Sequence, residues 1–256
     1  MSAAIDSLDV KSKVSEDEWQ TRVDLAAAYR LIAMHGWDDL VYTHISAAVP
    51  DSDGHFLINP YGMMFEEITA SSLVKVNLDG EKVMPSDYPI NPAGFMIHSA
   101  VHAARHDVGC VMHTHTRAGV GVSAQKHGLL PLSQHALLLL AEIGYHNYEG
   151  IALNEDEKPR LVAALGDKAL LILRNHGLLS AGRTIADAFQ SLYFLEVACQ
   201  IQIAAQAGGG ELIMVDEKIQ AGMAAQREVV SRGMGGELVW PGLLRKLDRR
   251  NPGYAD

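Results

Sequence analysis

The chain has 256 residues, 48% of them apolar and 20% charged, which is enough for one sizeable core. Its 21 basic and 31 acidic residues leave a formal net charge of -10, and the basic face that nucleic acid or an anionic membrane needs is not expected. Two cysteines are too few for a disulfide framework, no apolar signal core opens the sequence and no apolar run approaches bilayer length, so a cytoplasmic protein without membrane or nucleic-acid partners is predicted.

Residues 1–15 are polar and predict a disordered or extended tail. Ser15 with Glu18 three positions later has the form of a capping box. Apolar residues at helical spacing from Val23 to Met34 continue that helix, and His35-Gly36 ends it. Three strand-like pieces follow: LVYTHISAAVP, HFLINPYG and SLVKVNLDGEKV, the last alternating with period two and carrying an Asp-Gly turn. NPAGFMIHSAVHAARHD reads as a helix with Pro near its start. VGCVMHTHT reads as an apolar strand, and RAGVGVSAQKHG begins another helix. LLPLSQHALLLLAEIGYHNYEG is expected to hold a short helix and a loop. EDEKPRLVAALGDK is a helix, ALLILRNHG a buried strand, and TIADAFQSLYFLEVACQIQIAAQAGGG a long helix stopped by glycines. The spacing places one domain over residues 16–210. Residues 211–256 form a partly helical extension, expected against a neighbouring subunit. Strands alternating with helices give the α/β class and, taken alone, suggest a parallel sheet.

Most of the chemistry lies in the histidines. On a strand, residues two apart share a face, so His113 and His115 are expected to project together. Two such imidazoles can chelate one transition metal through ring nitrogens. His176 ends a second apolar run and is also followed by glycine, so the two runs can converge at one sheet edge.

VMHTHTRAG and LILRNHGLLSAG, with the long helix after them, resemble the class II aldolase/adducin family. The segments YTHISAAVP, FLINPYGMMFEEITASSLVKVNLDG, NPAGFMIHSAVHAARHDVGCVMHTHT and GYHNYEGI carry the likeness further and bring it closest to the adducin-head branch. The resemblance implies a three-layer α/β/α fold with a central, mainly antiparallel sheet, which overrides the parallel one. It also implies a homotetramer with sites near subunit interfaces. It places a divalent metal on His113, His115 and His176; zinc heads the candidates, and iron or manganese suit the same ligands.

The same resemblance marks departures. The aldolases' acid/base glutamate falls on Gly94, their phosphate-holding serine pair on Pro92 and Ala93, and their glycine-asparagine element on Thr43 and His44. A sugar phosphate is therefore not the expected substrate. His98, one helical turn after Gly94, is a candidate catalytic group, and His102 follows one turn later. Tyr145 and Tyr148 lie where aldolases supply a tyrosine proton donor. His44 and Arg117 are candidate substrate-binding residues, with a tetramer contact as the other reading of Arg117.

The expected function is a metal-dependent lyase acting on a small carbonyl or carboxylate compound, by aldol cleavage or decarboxylation through a metal-stabilised enolate. Two alternatives stand beside it. One is a non-catalytic adducin-like oligomeric interaction module, although the neck and basic tail of adducins are missing from this sequence. The other is a three-histidine non-haem iron oxygenase.

Overall fold

Ser15 fixes the start of the first helix: its side chain accepts the Glu18 N–H at 3.2 Å. The structure, a computed structural model, describes residues 10–256, so residues 1–9 of the expected tail lie outside the described residues. Helix α1 (Glu16–Met34) leads into β1 (His44–Ala48), β2 (Phe56–Ile58) and β3 (Val74–Val76). Next come α2 (Pro92–Ala104), capped by the Asn91 side chain, and β4 (Cys110–Thr114). After α3 (Arg117–Ser123) and α4 (Gln134–Leu137) the chain forms β5 (Ile143–His146), α5 (Lys158–Leu165), β6 (Leu170–Leu173), β7 (Gly177–Gly182) and the long α6 (Ile185–Ala207).

The seven strands form one sheet in the order β3-β2-β1-β4-β7-β6-β5. Every neighbouring pair is antiparallel except β5 with β6, which the α5 crossover joins in parallel. The parallel sheet that element alternation suggested is thus confined to one pair, and the mainly antiparallel sheet holds. Two strands differ from the sequence expectation. β5 lies in the stretch read as a loop, because IGYH is too short to show a period. β7 was not separated from its neighbours, because all six residues of GLLSAG are buried and small or apolar, with no polar alternation.

Side-chain alternation sorts the core into two layers. Ile45, Met112, Ile172 and Leu178 face α1 and α6. Val111, Leu171 and Leu179 face Met96, Ile97 and Val101 of α2 and Leu161 and Leu165 of α5. Burying each such side chain stabilises the fold by roughly 1.5–3 kcal/mol, and helices on both faces make the three layers.

The C-terminal stretch contains α7 (Glu217–Gln220), α8 (Met223–Ser231) and α9 (Trp240–Arg250). Its end is tied to α1 of the same chain. The Trp240 indole donates to Asp24 at 2.9 Å, and Arg30 donates to the Asn251 side chain at 2.9 Å and to the Gly253 carbonyl at 3.3 Å. Trp240, Leu247 and Tyr254 join the α1–α6 core layer. Apolar side chains remain exposed earlier in the stretch, at Ile213, Val229 and Val230. Among the described residues no helix is long and apolar enough to cross a membrane.

Candidate metal centre

β4 ends at Thr114, so His115 lies just past the strand that carries His113. His176 sits in the tight turn between β6 and β7, after Asn175, whose φ of 57° is tolerated by its short polar side chain. Gly177 lets the two segments meet: a Cβ there would lie 2.3 Å from the Thr114 carbonyl oxygen and 3.2 Å from both the His113 and His115 rings. The three imidazoles converge through one atom each. The Nε2 separations are 2.8 Å for His113–His115, 3.0 Å for His115–His176 and 3.3 Å for His113–His176. Metal–nitrogen bonds of about 2.0–2.1 Å require nitrogens about 2.9 Å apart at right angles and about 3.4 Å apart at the tetrahedral angle. The triangle has the size of one coordination face.

The outer nitrogens explain why the inner ones point inward. His113 Nδ1 donates to the Leu178 carbonyl at 2.9 Å, and His115 Nδ1 donates to Asp39 at 3.0 Å. Each bond puts the ring proton on Nδ1 and leaves a lone pair on Nε2, the arrangement of metal-ligating histidines. The cationic forms of His113 and His176 are disfavoured here. Burial first, then the neighbouring His176 and His115, hold His113 well below the ordinary histidine range. Burial and His115 bring His176 down to about 4. Lone pairs in this arrangement repel one another unless a cation lies between them, and the donor set fits a divalent metal.

The other expected residues divide clearly. His44 is the cross-strand partner of His113, with ring centroids 5.0 Å apart, and is almost wholly buried. His98 is fully buried behind it: its Nε2 meets His44 Nδ1 at 2.8 Å, while its Nδ1 meets Ser46 Oγ. A group in that position acts through His44 and does not reach a ligand itself. Tyr148 is exposed with its ring 6.2 Å from that of His176, so the structure brings it to the cluster. Tyr145 is not brought there. As a strand residue it faces the α1–α6 layer, where its hydroxyl accepts the Leu129 N–H at 3.1 Å and its ring carries the Arg174 guanidinium at 4.4 Å. Arg117 is exposed at the start of α3. Beside Tyr148, His146 and Glu157 form a buried pair at 2.9 Å.

Three contributors escaped the sequence reading. Asp39 lies in a loop 76 residues from His115, with no spacing to signal the contact. The Leu178 carbonyl depends on strand register alone. Ser46 was detectable, since His44 and Ser46 are two apart on a strand and His98 and His102 four apart on a helix.

An α/β/α sandwich with three convergent imidazoles at the end of its central strands belongs to the class of aldolase-type folds. The chain is a member of the family described as Class II Aldolase and Adducin N-terminal domain, whose model matches residues 23–203. It is 61% identical over 249 residues to a Pseudomonas aeruginosa protein provisionally named a class 2 aldolase, covering 96% of both chains. It is 45% identical over 247 residues to rat alpha-adducin, covering 91% of this chain and 33% of that one. Among solved structures, an aldolase II superfamily protein from Pseudomonas syringae aligns with TM-score 0.93 at 52% identity, covering 97% of this chain and 100% of that one.

Proposed function

We propose that this chain is a metal-dependent lyase that cleaves or decarboxylates a small carbonyl or carboxylate compound, with His113, His115 and His176 holding a divalent ion. The observation that carries this reading is the Nε2 triangle, with Nδ1 protons fixed outward on Leu178 and Asp39. When bound, such an ion supplies Lewis acidity that polarises a carbonyl oxygen. Tyr148, beside His176, is placed to hand a proton to a leaving group. His44 lines the site against His113, and Arg117 offers its charge at the mouth of α3. Zinc is the first candidate, with iron or manganese next. A homotetramer is the proposed assembly, checked by light scattering.

The likeness to alpha-adducin favours a second reading, a non-catalytic interaction module of the same fold. Metal analysis of the purified full chain separates the two. One ion per chain, lost in His113→Ala, supports the lyase; a chain that takes up no zinc, iron or manganese supports the module. Stoichiometric iron with oxygen uptake would instead indicate an oxygenase on the same ligands.

A further inference from the structure

The end of α1, the first half of α6 and one face of α9 meet around a cavity that shares no residue with the metal centre. Phe189 and Tyr193, four apart on α6, share a face, and Phe194 lies beside them. Leu243 and Lys246, three apart, are neighbours on α9. His35 stands at the C-terminal cap of α1. Together these side chains line a cavity of about 290 Å³.

Its wall is a continuous run of rings. The His35 imidazole stacks on buried Trp37 with centroids 4.6 Å apart, and Tyr193 meets His35 edge-on at 5.7 Å. Phe189 lies 6.2 Å from His35, and Phe194 meets Tyr193 edge-on at 5.9 Å. Rings set at right angles cannot close on one another face to face. A planar ring inserted among them gains both face and edge contacts. Tyr193 remains exposed, so the run of rings is open to solvent.

The charge at this cavity has one sign. Among the described residues Lys246 is the single cation that lines it and no Asp or Glu does, although acidic residues outnumber basic ones by 31 to 21 in the chain. Burial first, then the Lys246 charge, hold His35 below the ordinary histidine range, so this imidazole is neutral near pH 7. Its Nε2 is buried and has no hydrogen-bond partner among the described residues, an unmet polar group of the kind that a ligand or an ordered water resolves. An apolar wall with one ammonium suits a ligand with one negative charge, whereas a phosphate dianion would leave half its charge uncompensated.

We propose that this cavity binds a small aromatic monocarboxylate, its ring among His35, Tyr193 and Phe194 and its carboxylate on the Lys246 ammonium. The volume stands at the lower end of small-molecule sites, roughly 300–1,000 Å³, and such sites combine an aromatic lining with a few polar groups. The proposal does not depend on the lyase reading, because no metal ligand lines the cavity.

Isothermal titration calorimetry of the full chain with naphthoate tests this. Saturable binding is expected, with the neutral naphthamide about threefold to tenfold weaker. Lys246→Gln should remove most of that difference, and Tyr193→Ala should weaken both probes about fivefold, with far-UV circular dichroism unchanged in each. The same naphthoate affinity is expected with a chelator present. No binding at millimolar naphthoate, equal affinity for acid and amide, or an unchanged affinity in either folded variant overturns the proposal. Binding that disappears with the chelator also overturns it, since the carboxylate would then sit on a metal at the three histidines. If the wild type does not bind naphthoate and light scattering shows that Tyr193→Glu breaks an oligomer, a second copy of the chain covers the rings and the proposal fails.

Discussion

Asp39 shows how much a single distant carboxylate can carry. It orients His115 through Nδ1 and sharpens the lone pair on Nε2. Asp39→Asn should weaken zinc binding by about 10- to 100-fold while leaving far-UV circular dichroism unchanged, as measured by competition with a chromophoric chelator. Gly177→Ala tests steric closure at the same place. Its Cβ meets the Thr114 carbonyl at 2.3 Å, so β4 and the turn must part. A loss of about 1–3 kcal/mol in urea unfolding is expected, together with weaker zinc binding. The three histidines could be read from the sequence because their chemistry is narrow and two of them stand one residue apart. Asp39 could not, because nothing local pairs a loop aspartate with a histidine far along the chain. Tyr145 departs from its expected place by parity: it lies within the short strand β5, where neighbouring residues point to opposite faces, and its side chain faces the α1–α6 layer.

At the level of elements, the β1–α2 layer exchanges apolar packing for hydrogen-bonded imidazoles, and this makes stability depend on pH. Burial brings His44 down to about 3 and His102 to about 4, from an ordinary 6.5. Between those values and 6.5 the unfolded chain binds more protons than the folded one, so stability falls as the pH drops through that window and is fully present above it. Each excluded proton contributes a slope of about 1.4 kcal/mol per pH unit. Urea titrations of the metal-free chain should therefore show a lower midpoint at pH 5 than at pH 7; equal midpoints would mean that these rings take up protons in the folded state. The elements themselves were partly legible. α1, α2 and α6 announce themselves by caps and period, whereas β7 hides because a fully buried strand of small residues has no alternation to read.

Across the molecule, the chain closes on its own beginning: α9 and the final residues pack on α1. Trp240 is 8% exposed, and Trp240→Ala should cost about 3–5 kcal/mol by urea denaturation, even though no sequence period links residue 240 to α1. The layered architecture came through the family likeness. Strand direction did not follow from element order, because most helical connections here link strands that are not neighbours in the sheet, and only β5 and β6 are neighbours joined in parallel through a helix.

The register of β4 on β7 has one more effect. Two of the three imidazoles stand at the end of one strand and the third is fixed by a hairpin more than sixty residues later. An extended polypeptide has no reason to gather them, so the cation should grip only the finished sheet. Occupancy then acts as a clamp on the centre of the fold: a free ion at a hundred times its dissociation constant raises resistance to unfolding by about 2.7 kcal/mol. Melting temperature should climb with added zinc in the wild type and stay level in His113→Ala.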